Sequence, residues 1–349
     1  MSKKLMFVFL LLLIGFPTQT SASEGSLYGR VVILDAGHGS GSPGGTLPAF
    51  GYFEYRRMFF LAVQLQSELL SRGATVHMTR NCPMNVALPV RPAMMNRWSL
   101  EALLSDRLGR LKSRYTSPHE RIILIGEINR LRKSLNLLDR VIYNHRLYAP
   151  IYLNHPFDFD LRTQIHPSWR LILEFQSDPL IRYNWLAISL HSNASSSLSM
   201  SGADVYFSGN NNPRNMFYFA NYSHEDISEM FGRMLLGGIS RLGIRANRVR
   251  ARHFMIIRET NLPAVLVENG YHTNEHDRSL LMDNNFMRRL ATVYADTIEA
   301  YFERINQYRH QYHENAPLTK EAFARLVRFG TPWQRTRLVI SPFLINADK

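Results

Sequence analysis

A single cysteine, Cys82, stands in the whole sequence, so no intrachain disulfide can form and stability must come from a core or a bound ion. Cys82 itself reads as a semi-buried small residue. The chain also has no apolar run long enough to cross a bilayer. The longest, Leu5 to Phe16, falls short of the roughly 20 residues that a spanning helix needs. Acidic residues are in deficit, 28 against 41 Lys and Arg, for a net charge of +13. That excess favours anionic surfaces such as cell wall or lipid headgroups, although a generally solvated basic surface would look the same. No basic recognition motif accompanies it, so nucleic acid is not an expected partner. Internal repeats and low-complexity segments are absent, which excludes a repeat array.

What is present is enough for a sizeable core, since hydrophobic residues make up 45% of the chain. Lys3-Lys4, the apolar run and the small polar stretch PTQTSAS from Pro17 follow the order of a secretory signal peptide over residues 1–22. No cysteine lies there to carry a lipid. The expectation is an exported protein, periplasmic or secreted and associated with the cell wall, with no transmembrane segment in the mature chain.

The stretch Val31-Val-Ile-Leu-Asp-Ala-Gly-His-Gly39 is the one around which the rest of the chain is organised. Its β-branched run predicts a strand buried on both faces. The glycines around His38 predict a sharp turn that brings an imidazole to the strand's carboxyl end, where open α/β sheets place ligands. A glycine-rich loop leads to a helix over 53–72, closed by Gly73, and a second strand over 74–79. This β-loop-α-β unit implies a parallel sheet. Leu100, Leu104, Leu108 and Leu111 mark a helix over 99–115. Ser117-Pro118 with Glu120 marks the start of another, carrying a heptad-like seam of Leu124, Ile128, Leu131, Leu135, Leu138 and Ile142. An irregular aromatic stretch and a helix over 168–176 come next. Strands are predicted over 185–190, 203–208 and 263–267, and helices over 224–242 and 280–305, before a polar tail from 307.

Three strands thus end in polar residues, His38, His191 and Glu268, and Glu54 opens the first helix. Two imidazoles and a carboxylate suit zinc, with three protein ligands and an open position, and a further carboxylate can take a proton from water. Each residue has an ordinary alternative. His38 can be a polar loop residue, Glu54 a helix-dipole partner, Glu268 half of a loop salt bridge, and His191 a satisfied core histidine. All four at equivalent element ends favour the joint reading.

The segments LDAGHGSGSPGG, the glutamate of FEYRR, GATVHMTR, ISLHSNAS and PAVLVENGYHTNEHDRSLL resemble, in order, the zinc-dependent N-acetylmuramoyl-L-alanine amidases of the Amidase_3 type. The resemblance covers roughly 31–95 and 185–302. It implies an α/β fold, with a mostly parallel twisted sheet flanked by helices in a single catalytic domain over 29–306. It implies zinc held by His38, Glu54 and His191, with Glu268 as the catalytic proton acceptor. The substrate would be peptidoglycan, cut between N-acetylmuramic acid and the L-alanine of the stem peptide, with room for a regulatory activator protein as a partner. Alternatives are a non-catalytic wall-binding scaffold on the same fold, and a zinc peptidase or acyl-amino-acid amidohydrolase.

The chain departs from the family pattern in places. Ser42-Pro43 replaces an aspartate before the loop proline, Tyr55 a lysine, His191-Ser-Asn-Ala the usual HANA, and Gly270-Tyr-His-Thr-Asn274 a GFLSN-like motif. No proposed ligand is lost. His272 becomes an extra polar group near the site, either a substrate contact or a solvated loop residue. Asp35 is a candidate hydrogen-bond partner for an imidazole. Residues 96–180 read as a large helical insertion that either shapes access to the cleft or elaborates a remote surface. Its His155, Asp158, Asp160 and His166 are too irregularly spaced to argue strongly for a second metal. Residues 307–349 form a C-terminal tail.

Overall fold

The run from Val31 forms the central strand β1 (Val31–Ala36) in the computed structural model, which describes residues 25–42, 46–47, 50–148, 175, 178–209, 224–252 and 254–313. The expected signal peptide, the aromatic stretch with its four His and Asp residues, almost all of the helix predicted over 168–176 and the end of the tail lie outside the described residues. A short antiparallel pair, β2 (Thr46–Leu47) and β3 (Tyr52–Phe53), precedes α1 (Glu54–Ser71). The chain then returns through Gly73, at φ +87°, into β4 (Thr75–Met78). β4 pairs parallel to β1, Val31 opposite Thr75 and Leu34 opposite Met78, as the crossover unit requires.

After β4 come α2 (Val90–Lys112), α3 (Pro118–Tyr143) and the single turn α4 (His145–Tyr148). The chain continues through α5 (Pro179–Asn184), β5 (Trp185–Asn193), β6 (Ala203–Phe207), α6 (Glu225–Ser240) and β7 (Ala246–Ala251). It closes with α7 (Met255–Arg258), β8 (Ala264–Tyr271), α8 (Glu275–Met282) and α9 (Asn284–His313). The six-stranded sheet runs β4-β1-β5-β8-β6-β7. The first four strands are parallel, β6 is antiparallel to β8, and β7 is parallel to β6. The sheet is therefore mixed but mostly parallel, with helices on both faces. Among the described residues no helix is long and apolar enough to cross a membrane.

Alternation along the strands divides the core in two. Val32, Leu34, Ala36, Leu186, Ile188, Leu190, Val265 and Val267 face α1, α6 and α9, where Leu61, Leu65, Phe231, Tyr294 and Ile298 complete the packing. Ile33, Trp185, Ala187, Tyr206 and Leu266 face the other way, onto Met95, Leu100 and Leu103 of α2 and Leu131, Leu138 and Val141 of α3. The helical hairpin thus joins the cluster on this face of the sheet, with α3 lying chiefly against α2.

The α3 start follows its predicted chemistry. Ser117 Oγ accepts the Glu120 N–H at 3.2 Å, Pro118 occupies the first turn, and Leu124, Ile128, Leu131 and Leu138 are buried. α2 starts nine residues earlier than its leucine spacing suggests, because Pro92 falls within the first turn, where no helical hydrogen bond needs its missing N–H. Periodicity alone does not separate α8 from α9; Asn274 caps α8, accepting the Asp277 N–H at 3.1 Å. β7 has no counterpart among the predicted strands. It is a short edge strand, Ala246-Asn-Arg-Val-Arg-Ala251, whose arginines protect the sheet margin and whose apolar pattern is confined to Val249 and Ala251.

Candidate metal centre

Strand register assembles half of the site. β5 and β8 run side by side with His191 directly opposite Glu268, and across β8 the same Glu268 pairs with Asp204 of β6. Opposed residues share a face, so His191, Glu268 and Asp204 form a row on the side of the sheet that α2 and α3 cover.

The β1 loop supplies His38, which adopts a left-handed backbone, φ +56°. For a residue with a side chain this conformation is disfavoured by about 1–2 kcal/mol, so the surroundings must hold it. Arg91 of α2 does so, its Nη2 donating to His38 O at 2.5 Å and its Nη1 to Ala36 O at 2.9 Å. Arg80 adds a second clamp. It donates to Ala36 O at 2.9 Å, to Gly37 O at 3.2 Å and to Tyr55 O at 2.7 Å, which ties the histidine loop to the first turn of the helix carrying Glu54. Burial pulls the Arg80 pKa down to about 10, which leaves it charged at neutral pH. Gly37 is required by close approach: a Cβ there would lie 2.5 Å from His191 Cε1.

These elements converge on Glu54, which is only 2% exposed. Its Oε1 lies 3.0 Å from His191 Nδ1, 3.4 Å from His38 Nε2 and accepts the Ser192 N–H at 3.0 Å. The two imidazoles meet edge to face with centroids 5.0 Å apart. One ligand atom from each of His38, Glu54 and His191 falls within 4.8 Å of the others. Burial alone would raise the Glu54 pKa, yet the hydrogen bonds and charges of His191 and His38 hold it far below the usual carboxylate range. The same contact works in reverse on His191: burial disfavours its charged form, and Glu54 more than offsets that, raising its pKa. Two nitrogens and a buried carboxylate oxygen, converging on one point, are a donor set that fits zinc.

Glu268 has a different environment. Its Oε2 is buried with no hydrogen-bond partner. Burial pushes its pKa up to about 7, with the nearby Glu54 and Asp204 carboxylates adding to the rise and His191 opposing it. A carboxyl group titrating near neutrality can both take up and release a proton at working pH.

The four residues singled out from the sequence are therefore brought together. Asp35 is buried beneath them, but it bonds no imidazole. Its partners are Thr79 Oγ1 at 2.5 Å, Ser189 Oγ at 2.6 Å and Arg91 Nη1 at 3.0 Å. It orients the arginine that holds the His38 loop. His272 is neither solvated nor open to a substrate. It is 3% exposed, stacked on Tyr52 and hydrogen-bonded at Ser192, and burial pushes its pKa down. Sequence reasoning missed Arg91, Tyr52, Ser192 as a hydrogen-bonding group, and Asp204. Arg80 is visible in the sequence as the end of GATVHMTR, without a role.

The family described as N-acetylmuramoyl-L-alanine amidase matches residues 32–105 and 183–300, more than half of the chain. A protein named probable cell wall amidase LytH from Staphylococcus epidermidis is 27% identical over 116 residues, 33% of this chain and 34% of that protein. Its Staphylococcus aureus counterpart is 26% identical over the same length. The chain spans about a third of the length of these curated relatives. Among solved structures, the catalytic domain of CwlV, an N-acetylmuramoyl-L-alanine amidase from Bacillus (Paenibacillus) polymyxa var. colistinus, is 19% identical, covering 78% of this chain and 98% of that one at a TM-score of 0.44. The N-acetylmuramoyl-L-alanine amidase of Clostridium difficile 630 is 14% identical, covering 78% and 97% at a TM-score of 0.48.

Proposed function

Because the chain belongs to the N-acetylmuramoyl-L-alanine amidase family, we propose that it is a zinc-dependent peptidoglycan hydrolase. It cleaves the amide between N-acetylmuramic acid and the L-alanine of the stem peptide. The observation that carries this reading is the convergence of His38, Glu54 and His191 within 4.8 Å, with Glu268 directly opposite His191 across the sheet.

In this reading His38, Glu54 and His191 hold the metal. Zinc, when bound, supplies Lewis acidity toward an amide carbonyl and acidifies a water. Glu268 accepts the proton of the attacking water and returns it to the departing amine nitrogen. Its unpaired, buried Oε2 and its pKa near 7 suit both transfers. Arg91 and Arg80 keep the His38 loop and the start of α1 in register, so that the ligands need little rearrangement on metal binding. The catalytic unit is assigned to 29–306, with the described helices α2 and α3 joining one cluster of its core. Export is assigned from the order of charged, apolar and small residues in 1–22, and the net charge of +13 suits an anionic wall.

The test is digestion of purified sacculi by the zinc-loaded protein, with products read by mass spectrometry. Free stem peptides beginning at L-alanine are expected. Peptides cut elsewhere would point to a peptidase, and no product at all to a wall-binding scaffold. Glu268→Gln should lower turnover by about a hundredfold or more while one zinc per chain is retained; undiminished turnover would sink the role given to Glu268.

A further inference from the structure

Beside the metal centre lies a buried polar chain that touches three of the four site segments and has no part in the proton transfers. Tyr52 stands two residues before Glu54, Ser192 follows His191, and His272 lies four residues beyond Glu268. All three are buried, at 0%, 4% and 3% exposure. Tyr52 Oη and Ser192 Oγ are 2.7 Å apart, and Ser192 Oγ lies 3.0 Å from His272 Nδ1. The His272 ring stacks on that of Tyr52 at 5.0 Å and 16°. Its Nδ1 also lies 3.1 Å from Ser192 O, and its backbone N–H donates to Asn193 O at 2.9 Å. The network closes on the metal centre through one bond, from the Ser192 N–H to Glu54 Oε1 at 3.0 Å.

We propose that Tyr52, Ser192 and His272 are positioning residues that fix Glu54 as a metal ligand. The proposal rests on the reading of His38, Glu54 and His191 as the zinc site. Two of its members stand where the chain departs from its family's pattern, Ser192 in the usual HANA and His272 in the GFLSN-like motif. Those two departures are hydrogen-bonded to each other across 80 residues of sequence, so they form one feature. A Ser–His pair elsewhere can be a nucleophile and its base. Here the serine is sealed from solvent and held by the tyrosine, which suits a fixed strut. Groups that hold a metal-binding side chain in place typically change metal affinity by about 10–100-fold when removed.

The test uses the full chain and Zn2+ alone, titrated against a chromophoric chelator, with the melting temperature of the metal-free protein measured in parallel. Tyr52→Phe keeps the ring stack and removes only the hydroxyl. It should weaken Zn2+ binding by about tenfold, as should Ser192→Ala and His272→Leu. His272→Asn restores a hydrogen-bonding group near the Nδ1 position and should recover affinity to within about threefold of the unaltered protein. Lower melting temperatures with unchanged zinc affinity in all three variants would overturn the proposal, since that is what a purely structural network gives. If Glu54→Gln also leaves zinc binding unchanged, the metal-site reading itself fails. If Glu54→Gln alone abolishes binding, only the positioning role is lost.

Discussion

The two faces of the sheet are built from the same strands to opposite ends. Toward α1, α6 and α9 every strand presents aliphatic side chains, Val32, Leu34, Ile188, Leu190, Val265 and Val267 among them. Toward α2 and α3 the strands begin apolar, with Ile33, Trp185, Ala187 and Leu266. They finish polar at their carboxyl ends, with Asp35, Ser189, His191 and Glu268. One face is given to stability. The other buries charge next to a core, and each buried charge has to be compensated or left as a functional group. Asp35 is compensated by Arg91, Thr79 and Ser189. Asp204 is met by Arg248 Nε, 3.9 Å from its Oδ1, and by Asn247 Nδ2 and Tyr271 Oη at its Oδ2, whereas Glu268 Oε2 is left without a hydrogen-bond partner. An unpaired oxygen of this kind belongs where a proton or a ligand is to be handled.

Breaking the polar face at its best-compensated point should have the largest effect on stability. Arg91→Met leaves the Asp35 carboxylate buried without its cation, for an expected loss of about 3–5 kcal/mol in urea unfolding. The pH dependence is set by the sign of the Asp35 shift. Burial raises its pKa, but Arg91, Ser189 and Thr79 bring it below the ordinary 3.8. The group therefore contributes stability that is complete above 3.8 and is lost as pH falls through the lower folded value. In Arg91→Met the burial effect is no longer balanced, and acid unfolding should begin at higher pH. An acid midpoint that does not move would mean that Asp35 is carried by Thr79 and Ser189 alone.

If the two helical layers are equivalent walls, matched cavities should cost alike. Leu65 in α1 and Leu131 in α3 are both 0% exposed. Each Leu→Ala change should lose about 2–5 kcal/mol. A Leu131→Ala loss below about 0.5 kcal/mol, the range of surface changes, would return the hairpin to the status of a peripheral elaboration. The smallest effect is expected at the hairpin turn, where Ser117→Ala removes the α3 cap bond to the Glu120 N–H. About 1 kcal/mol should be lost, read from the urea midpoint.

Legibility in the sequence divides along physical lines. The strands of β1, β5 and β8 carry dense apolar runs that end in His38, His191 and Glu268, so both the element and its functional terminus are visible. α3 announces itself through its cap and its seam. β7 is silent, because an edge strand in which only Val249 and Ala251 alternate with Arg248 and Arg250 carries too short an apolar pattern to detect. The early start of α2 is masked by Pro92, and the partners of Asp35 by distance, since Arg91 and Ser189 lie 56 and 154 residues away.

The sequence by itself determined which segments become buried strands, where they turn polar, and which side chains could serve as metal ligands and base. Those properties depend on local composition and spacing. Only the tertiary structure decided that two arginines clamp the His38 loop, that His191 faces Glu268 in register, and that Ser192 and His272 are one feature instead of two separate departures. Such contacts join residues far apart in the chain. No local period records them, and the geometry that selects them exists only once the sheet has closed around the site.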